Sequence, residues 1–297
     1  MAVFTGYNFY IMKNFSLIVV GILFIYCVSS CRKQVDKGFE MTVDLSISNP
    51  YLPMSVLVDT IESVRLQLPS PYFWGMVDNV ISKDSCYYIS DRKQEMAFRF
   101  SKNGTFLNAI GQRGEGPGEY REMDSFFVGK DCVYVCDMGK RTIYSYSFDG
   151  KFLHSLSFPY SLVFNDVVEL PDGRFLCHRP SQSENCKGLW ILDQKGRRVK
   201  NLLEYEKGTP CKNSYWNTLC AQEDGTIKIY NPVDGSYYQY DAVNDTVVRT
   251  MRQKSNLPML ADLHCSDREL YETKEECTYS LFTVDGKNLV FSLWSFN

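Results

Sequence analysis

One six-residue pattern occurs twice in this chain, and it constrains the fold more than any other feature. The sequence CYYISD at residues 86–91 returns as CVYVCD at residues 132–137, 46 positions later. A turn glycine follows each pattern, at Gly104 and Gly150, and the marker returns after another 46 positions at Gly196. Short strands that repeat at a period of about 40 to 50 residues are typical of propeller blades. The repeat therefore predicts a β-propeller.

The residues between these markers favour strands. Aromatic residues make up 14% of the chain, and such side chains suit a pleated sheet. The strand segments are broken by Asp-Gly or Asn-Gly pairs such as Asp149-Gly150, which form tight hairpin turns because they tolerate positive φ. We therefore expect an all-β domain of four-stranded blades over residues 51–297.

The N-terminus has the composition of a targeting segment. Lys13 precedes an apolar run over residues 15–28, which is too short for a comfortable membrane span, and small residues follow. Residues 1–11 carry no charge, so Met12 is the expected true start. The tetrapeptide that ends at Cys31 resembles the bacterial lipobox, which predicts a lipoprotein signal peptide over residues 1–31 with Cys31 acylated. The alternative is an ordinary signal peptide or an uncleaved anchor.

Residues 32–50 are interpreted as a tether. The segment has no apolar periodicity at its start and would lift a folded domain off a membrane surface. Its first residues, Arg32 and Lys33, are basic, whereas some surface-exported lipoproteins carry acidic residues there. We therefore expect localisation at the bacterial cell envelope, with a lipid anchor in the membrane and the domain facing the periplasm.

The second repeat resembles a known family. It runs from a glycine-rich loop at residues 111–120 (GQRGEGPGEY) through the pattern at 132–137 to Arg141 and a strand ending at Gly150. This order is similar to the NHL repeat, and the loop looks like that of bacterial NHL-type six-bladed β-propeller lipoproteins, a largely uncharacterised group. The match is strong over residues 111–158, weaker over 80–110, and only compositional from about residue 160.

The blade count follows from this resemblance and from the turn markers. Five markers are visible, and a predicted N-terminal strand over residues 55–68 can complete a last blade but cannot replace a missing one. Since open sheet edges template association, the ring must close. We expect a six-bladed family member whose last blade is missing; the alternative is a five-bladed ring.

The glycine-rich loop is the first candidate ligand site. It lacks the Gly-Lys-Ser/Thr ending of a phosphate-binding loop and opens no helix, so its glycines are interpreted as turning the backbone between two blades. In the functional alternative, Arg113, Glu115 and Glu119 lie near the ring axis and contact a ligand. Asp91 and Asp137 recur at the blade period and are expected to bind turn amides, while Arg141 takes the place of the family's arginine and would pair with such a carboxylate.

Large aromatic residues mark a second candidate site. Tyr72 and Trp74 lie in a segment that prolines and Gly75 identify as loop, where big side chains are less easily explained as core. They are predicted either to contact a sugar or peptide ligand or simply to pack on the core.

No motif indicates catalysis or a cofactor. The three histidines, His154, His178 and His264, occupy non-equivalent positions in the repeats, which disfavours a shared zinc site. No nucleophile elbow is present, and a net charge of −3 without a basic cluster disfavours nucleic acid. The sequence favours a binding or interaction module for an unknown small molecule, glycan or protein, without metal or cofactor. The alternative is a propeller hydrolase or lyase acting on a carbohydrate, lactone or peptide.

Overall fold

The strands form where aromatic and β-branched residues lie between turn markers, because these side chains favour an extended backbone. The computed structural model describes residues 39–43, 60, 62–180, 188–205, 218–222, 225–231, 235–255, 281–285 and 288–292. All of them belong to one compact unit, Gly38–Asn297. Across these ranges no helix is long and apolar enough to cross a membrane.

The described strands follow the chain in groups of four. Strand β1 (Phe39–Val43) precedes the first blade. Blade 1 contains β2 (Val77–Lys83), β3 (Cys86–Asp91), β4 (Met96–Ser101) and β5 (Phe106–Ile110). Blade 2 contains β6 (Ser125–Val128), β7 (Val133–Asp137), β8 (Thr142–Tyr146) and β9 (Phe152–Ser157). Blade 3 contains β10 (Asp166–Glu169), β11 (Phe175–Arg179), β12 (Gly188–Leu192) and β13 (Arg198–Leu203). Blade 4 contains β14 (Leu219–Ala221), β15 (Ile227–Asn231), β16 (Ser236–Asp241) and β17 (Thr246–Ser255). A hairpin of β18 (Leu281–Asp285) and β19 (Asn288–Ser292) follows.

The sequence repeat is also a repeat of strand register. Consecutive strands of each blade pair antiparallel as a meander. The last strand pair of blade 1 shifts register between Arg99 and Phe100, and that of blade 2 shifts between Ser145 and Tyr146, 46 positions later. A bulge at the same place in both blades bends the outer strand in the same way. The 46-residue period therefore describes one structural unit.

The apolar core lies between neighbouring blades. One layer joins blades 1 and 2 and includes Tyr88, Ile110, Val135 and Tyr146. Further layers join blades 2 and 3, around Trp190, and blades 3 and 4, around Ile229. Since blades 2 and 3 stack on a neighbouring blade at each face, their central strands are apolar on both sides, which is the packing of a propeller.

The N-terminal boundary differs from the sequence prediction. Residues 39–43, inside the predicted tether, form β1, which pairs in parallel with β17 and adds a fifth strand to the outer edge of blade 4. The described part of the predicted strand at 55–68 is not in a sheet. A strand that covers an outer edge satisfies backbone groups that would otherwise template association.

The fold is an all-β propeller with four-stranded blades. The described residues contain four such blades and the two-stranded hairpin, so they do not show the six blades that the family resemblance predicted.

Candidate functional site

Asp91 anchors the beginning of blade 1. It ends β3, and its carboxylate accepts hydrogen bonds from the backbone N–H groups of Gly75 at 2.6 Å and Met76 at 3.0 Å, which precede β2. The N–H of Gln94 donates to the same carboxylate at 3.0 Å. Burial acts to raise the pKa of Asp91, but these backbone bonds prevail and lower it.

Asp137 repeats this arrangement in blade 2. Its carboxylate accepts hydrogen bonds from the N–H groups of Arg121 at 2.7 Å and Glu122 at 3.3 Å, ahead of β6, and from Lys140 at 2.7 Å. Both aspartates thus join the turn after the second strand to the segment before the first strand. We call the end of the blades where these parts meet the first-strand end.

The glycine-rich loop crosses the first-strand end between blades 1 and 2. Tyr120 is fully buried, and its hydroxyl donates to the backbone oxygen of Glu95 at 2.8 Å. In return the hydroxyl of Tyr146 donates to the backbone oxygen of Gly118 at 2.7 Å. These bonds fix the loop to both blades, as expected for a turn between them.

Two residues that the sequence predicted to contact a ligand, Glu115 and Glu119, bond to other residues of the protein. The carboxylate of Glu119 accepts a hydrogen bond from the N–H of Gly116 at 2.8 Å and another from the side-chain amide of Gln112. Glu115 forms exposed ion pairs with Arg121 at 3.0 Å and Lys140 at 3.3 Å. Glu119 therefore bonds within the loop and Glu115 bonds to residues that follow it, and a ligand role for either stays a prediction.

Arg141 has a direct counterpart in blade 1. It adopts a left-handed backbone conformation with φ of 53°, and so does Glu95, 46 positions earlier. The Arg141 guanidinium donates to the backbone oxygen of Leu162 at 3.2 Å and lies 5.5 Å from the ring centre of Tyr160. It therefore lies towards blade 3, while Glu95 takes its place in blade 1.

Tyr72 and Trp74 lie on the face of blade 1 that points away from blade 2. Tyr72 meets Phe98 edge-on with 5.3 Å between the ring centres. Trp74 stacks on Phe100 with 5.9 Å between the ring centres. Tyr72 is half-buried, whereas Trp74 is still exposed. Both residues contact the core, and ligand binding by them stays a prediction.

A polar cleft opens at the first-strand end between blades 1 and 2. Its volume is about 200 Å³. Its walls come from β2, the turn after β3, the glycine-rich loop and the segment before β6. The lining residues are Asp78, Arg92, Glu95, Arg113, Glu122, Met123 and Asp124. Four carboxylates and two guanidinium groups thus surround one small space.

Two of the carboxyl groups in the cleft are perturbed. Burial raises the pKa of Glu95, although its carboxylate accepts a hydrogen bond from the N–H of Met123. Burial of the carboxyl likewise raises the pKa of Asp124, even though the residue as a whole is exposed, while the N–H of Met138 donates to it at 2.7 Å. Titratable groups with shifted pKa values in a cleft identify a candidate functional site.

The sequence prediction identified only part of this cleft. Of the predicted residues, Arg113 lines it, whereas Glu95 was not among the predicted site residues. The sequence nevertheless contained a signal for two of the cleft residues. Asp78 and Asp124 are separated by the same 46 positions as the two blade patterns. Cys31 and His264 lie outside the described residues. In the described ranges no group of three or more His, Cys, Asp or Glu residues is arranged to hold a metal ion.

A second polar cluster is buried between blades 3 and 4. His178 lies between the hydroxyl of Thr218, 2.6 Å from Nδ1, and the hydroxyl of Tyr205, 2.8 Å from Nε2. The carboxylate of Asp166 accepts bonds from the N–H of Leu219 at 2.8 Å and from the Thr218 hydroxyl at 3.4 Å. Burial lowers the pKa of His178 to about 3. It raises the pKa of Asp166 to about 6, against the opposing effect of the backbone bonds.

The described blades and the cleft define a β-propeller with a polar site at its first-strand end. The chain belongs to the family described as a domain of unknown function, DUF4934, which matches residues 40–288. No curated protein matches the chain.

Solved structures share the fold at low sequence identity. A protein of Bacteroides fragilis, assigned as exported, is 18% identical, with 86% of this chain and 75% of that chain covered and a TM-score of 0.69. This likeness shows the fold alone. A protein of unknown function from Bacteroides caccae is 14% identical over 63% of this chain and 62% of its own, with a TM-score of 0.37. Virginiamycin B lyase from Staphylococcus aureus is 10% identical over 59% and 55%, with a TM-score of 0.40. These two scores support no inference about this chain.

Proposed function

We propose that this chain is a ligand-binding propeller module of the bacterial envelope and that its ligand occupies the cleft between blades 1 and 2. One observation carries the proposal: four separate segments of two blades bring charged side chains into one small cleft, and two of the carboxyl groups have raised pKa values. A cleft that gathers titratable groups with shifted pKa values is a candidate site for a ligand, so this arrangement favours a binding role.

The composition of the cleft limits the ligand. Its carboxylates accept hydrogen bonds, and Arg92 and Arg113 donate them. A small polar molecule, a glycan or the polar part of a peptide would satisfy both kinds of group, whereas an apolar ligand would leave them unpaired. We therefore expect a hydrophilic ligand that offers both donors and acceptors.

A thermal-shift screen with neutral oligosaccharides, amino acids and short peptides tests this proposal. A ligand at about 100 times its Kd stabilises the folded state by roughly 2.7 kcal/mol and raises the melting temperature. For a compound that does so, Glu122→Gln and Arg113→Gln are each expected to weaken binding at least about tenfold, a common loss for a hydrogen bond to a charged group. The control is Glu204→Gln, an exposed glutamate on blade 3. Equal affinity in all three variants would place the ligand elsewhere.

The enzyme alternative rests on the same two carboxyl groups. A carboxyl with a raised pKa can act as a general acid, and Glu95 and Asp124 both line the cleft. A hydrolase or lyase would convert the bound compound, so product analysis after incubation separates the two functions.

The finer assignments rest on sequence motifs. The NHL-type repeat is supported by the loop at 111–120 and by Asp137, and both the six-blade and the five-blade count stay predictions. The envelope location is supported by the lipobox-like tetrapeptide that ends at Cys31 and by the exported assignment of the Bacteroides fragilis protein.

Replacing Cys31 tests the anchor. We expect the wild-type chain to sediment with membranes and to carry a diacylglycerol-bearing cysteine, because two acyl chains hold a protein stably on a bilayer. The Cys31→Ser variant should lack this modification. Membrane fractionation and intact mass spectrometry provide the measurement, and a wild-type protein that is both soluble and unmodified would rule out the anchor.

A further inference from the structure

Blade 1 exposes a contiguous apolar surface. Trp74 is 37% exposed, and Val77 and Val80 on β2 are 49% and 56% exposed. Phe73 and Met76 beside them are exposed as well. Apolar side chains exposed together, rather than singly, usually mark a surface that another element covers. We call Trp74, Val77 and Val80 the bare face.

The 46-residue period identifies the equivalent residues in blade 2. The counterparts of Trp74, Val77 and Val80 in blade 2 are Tyr120, Met123 and Phe126. All three of these are buried in the core layer that joins blade 2 to blade 1. The bare face therefore occupies the position of a blade-to-blade interface.

The outer half of the same side of blade 1 is already covered. Phe98 and Phe100 of β4 are fully buried there, and Leu66, Leu68 and Tyr72 pack against them. The N-terminal segment thus covers the two outer strands of blade 1 and leaves the innermost strand, β2, exposed.

Turn glycines show which strand this segment replaces. A Cβ atom placed on Gly150 of blade 2 would lie 2.2 Å from the backbone oxygen of Ala109, on the outer strand β5 of the preceding blade. A Cβ atom on Gly104 of blade 1 would lie 2.2 Å from the backbone oxygen of Arg65. Residues near Arg65 therefore stand where the outer strand of a blade preceding blade 1 would run.

We propose that the hairpin β18–β19 docks on the bare face and forms the inner half of a closing blade whose outer part is the segment around Arg65. The hairpin is the one described pair of strands outside a four-stranded blade. It follows blade 4 in the chain, and consecutive elements are usually neighbours in space. Its sequences, LFTVD and NLVFS, are rich in large apolar residues. This docking does not depend on the ligand cleft.

The substitution Val80→Glu in the full chain tests this docking. If the hairpin covers Val80, a buried unpaired carboxylate lowers the melting temperature by about 6 °C or more. The backbone amides of β18 and β19 should then exchange with deuterium at least about tenfold faster than in the wild type, because the hairpin has lost its support. Val80→Ser provides the same two readings if the glutamate variant does not fold.

The matched control is Val199→Glu. Val199 lies on the outer strand β13 and is 49% exposed, so without docking it should behave like Val80. Equal melting temperatures for the two variants and unchanged exchange in the hairpin would overturn the proposal. A wild-type dimer that Val80→Glu converts to a monomer, with hairpin exchange unchanged, would overturn it as well by assigning the bare face to a second copy.

Discussion

Between pH 7 and pH 4, the Asp166→Asn variant is expected to lose about 3 kcal/mol of unfolding free energy from the cluster at His178, whereas the wild type loses about 1 kcal/mol from it. The difference arises because Asp166 and His178 titrate in opposite senses. Burial holds the pKa of His178 at about 3, and it raises the pKa of Asp166 to about 6.

His178 makes the folded state sensitive to acid. Its ordinary pKa is 6.5, so between pH 6.5 and 3 the unfolded chain binds a proton that the folded chain does not. The stability that depends on neutral His178 is complete above pH 6.5 and is lost as the pH falls. One unit of pKa difference corresponds to about 1.4 kcal/mol.

Asp166 compensates for most of this loss. Its ordinary pKa is 3.8, so between pH 6 and 3.8 the folded chain binds the proton that the unfolded chain releases. The contribution of Asp166 is therefore complete below pH 3.8 and is lost as the pH rises through 6. Between about pH 4 and 6 the two contributions nearly cancel, and Asp166→Asn removes this compensation.

Denaturant unfolding at pH 4, 5, 6 and 7 measures the effect. Other titrating groups affect both proteins equally, so the difference between the two curves isolates the cluster. Adding His178→Gln to Asp166→Asn should remove the excess acid sensitivity, whereas adding His154→Gln, at an exposed position, should leave it. Parallel curves for the wild type and Asp166→Asn would mean that Asp166 remains ionised in the folded chain.

The sequence predicted those parts of the fold that repeat locally. The two six-residue patterns correspond to β3 and β7, and the structural interpretation of Asp137 agrees with its bonds to the backbone of Arg121 and Lys140. Such features depend on residues within one blade. A periodic pattern records them because each blade repeats the same contacts.

Contacts between distant segments were not predictable in this way. Residues 39–43 look like tether because the partner strand β17 lies more than 200 positions away. The cleft was missed for a related reason. Its charged residues come from four segments, and only the blade packing brings Asp78, Glu95 and Glu122 together. In one sequence, scattered carboxylates are typical of any solvated surface.

The Gly150→Ala variant is expected to lose roughly 3 to 4 kcal/mol of unfolding free energy. Gly150 has φ of 86°, which costs an alanine about 1 to 2 kcal/mol. The added Cβ atom would also lie 2.2 Å from the backbone oxygen of Ala109, and overpacking of this kind costs about 1 to 3 kcal/mol more. Glycine suits this position because blade 1 lies directly against the turn and leaves no space for a side chain.

Gly225→Ala separates these two effects. Gly225 has φ of 83°, close to that of Gly150, but among the described residues other than its chain neighbours no atom lies within 4 Å of the position of an added Cβ. Its variant should therefore lose only the backbone part, about 1 to 2 kcal/mol. Urea unfolding of the wild type and both variants provides the comparison, with equal slopes required so that the midpoints report stability. If the two variants lose the same free energy, the turn glycine at the 46-residue period reflects backbone conformation alone, and the close contact between blades 1 and 2 at Ala109 does not exist in solution.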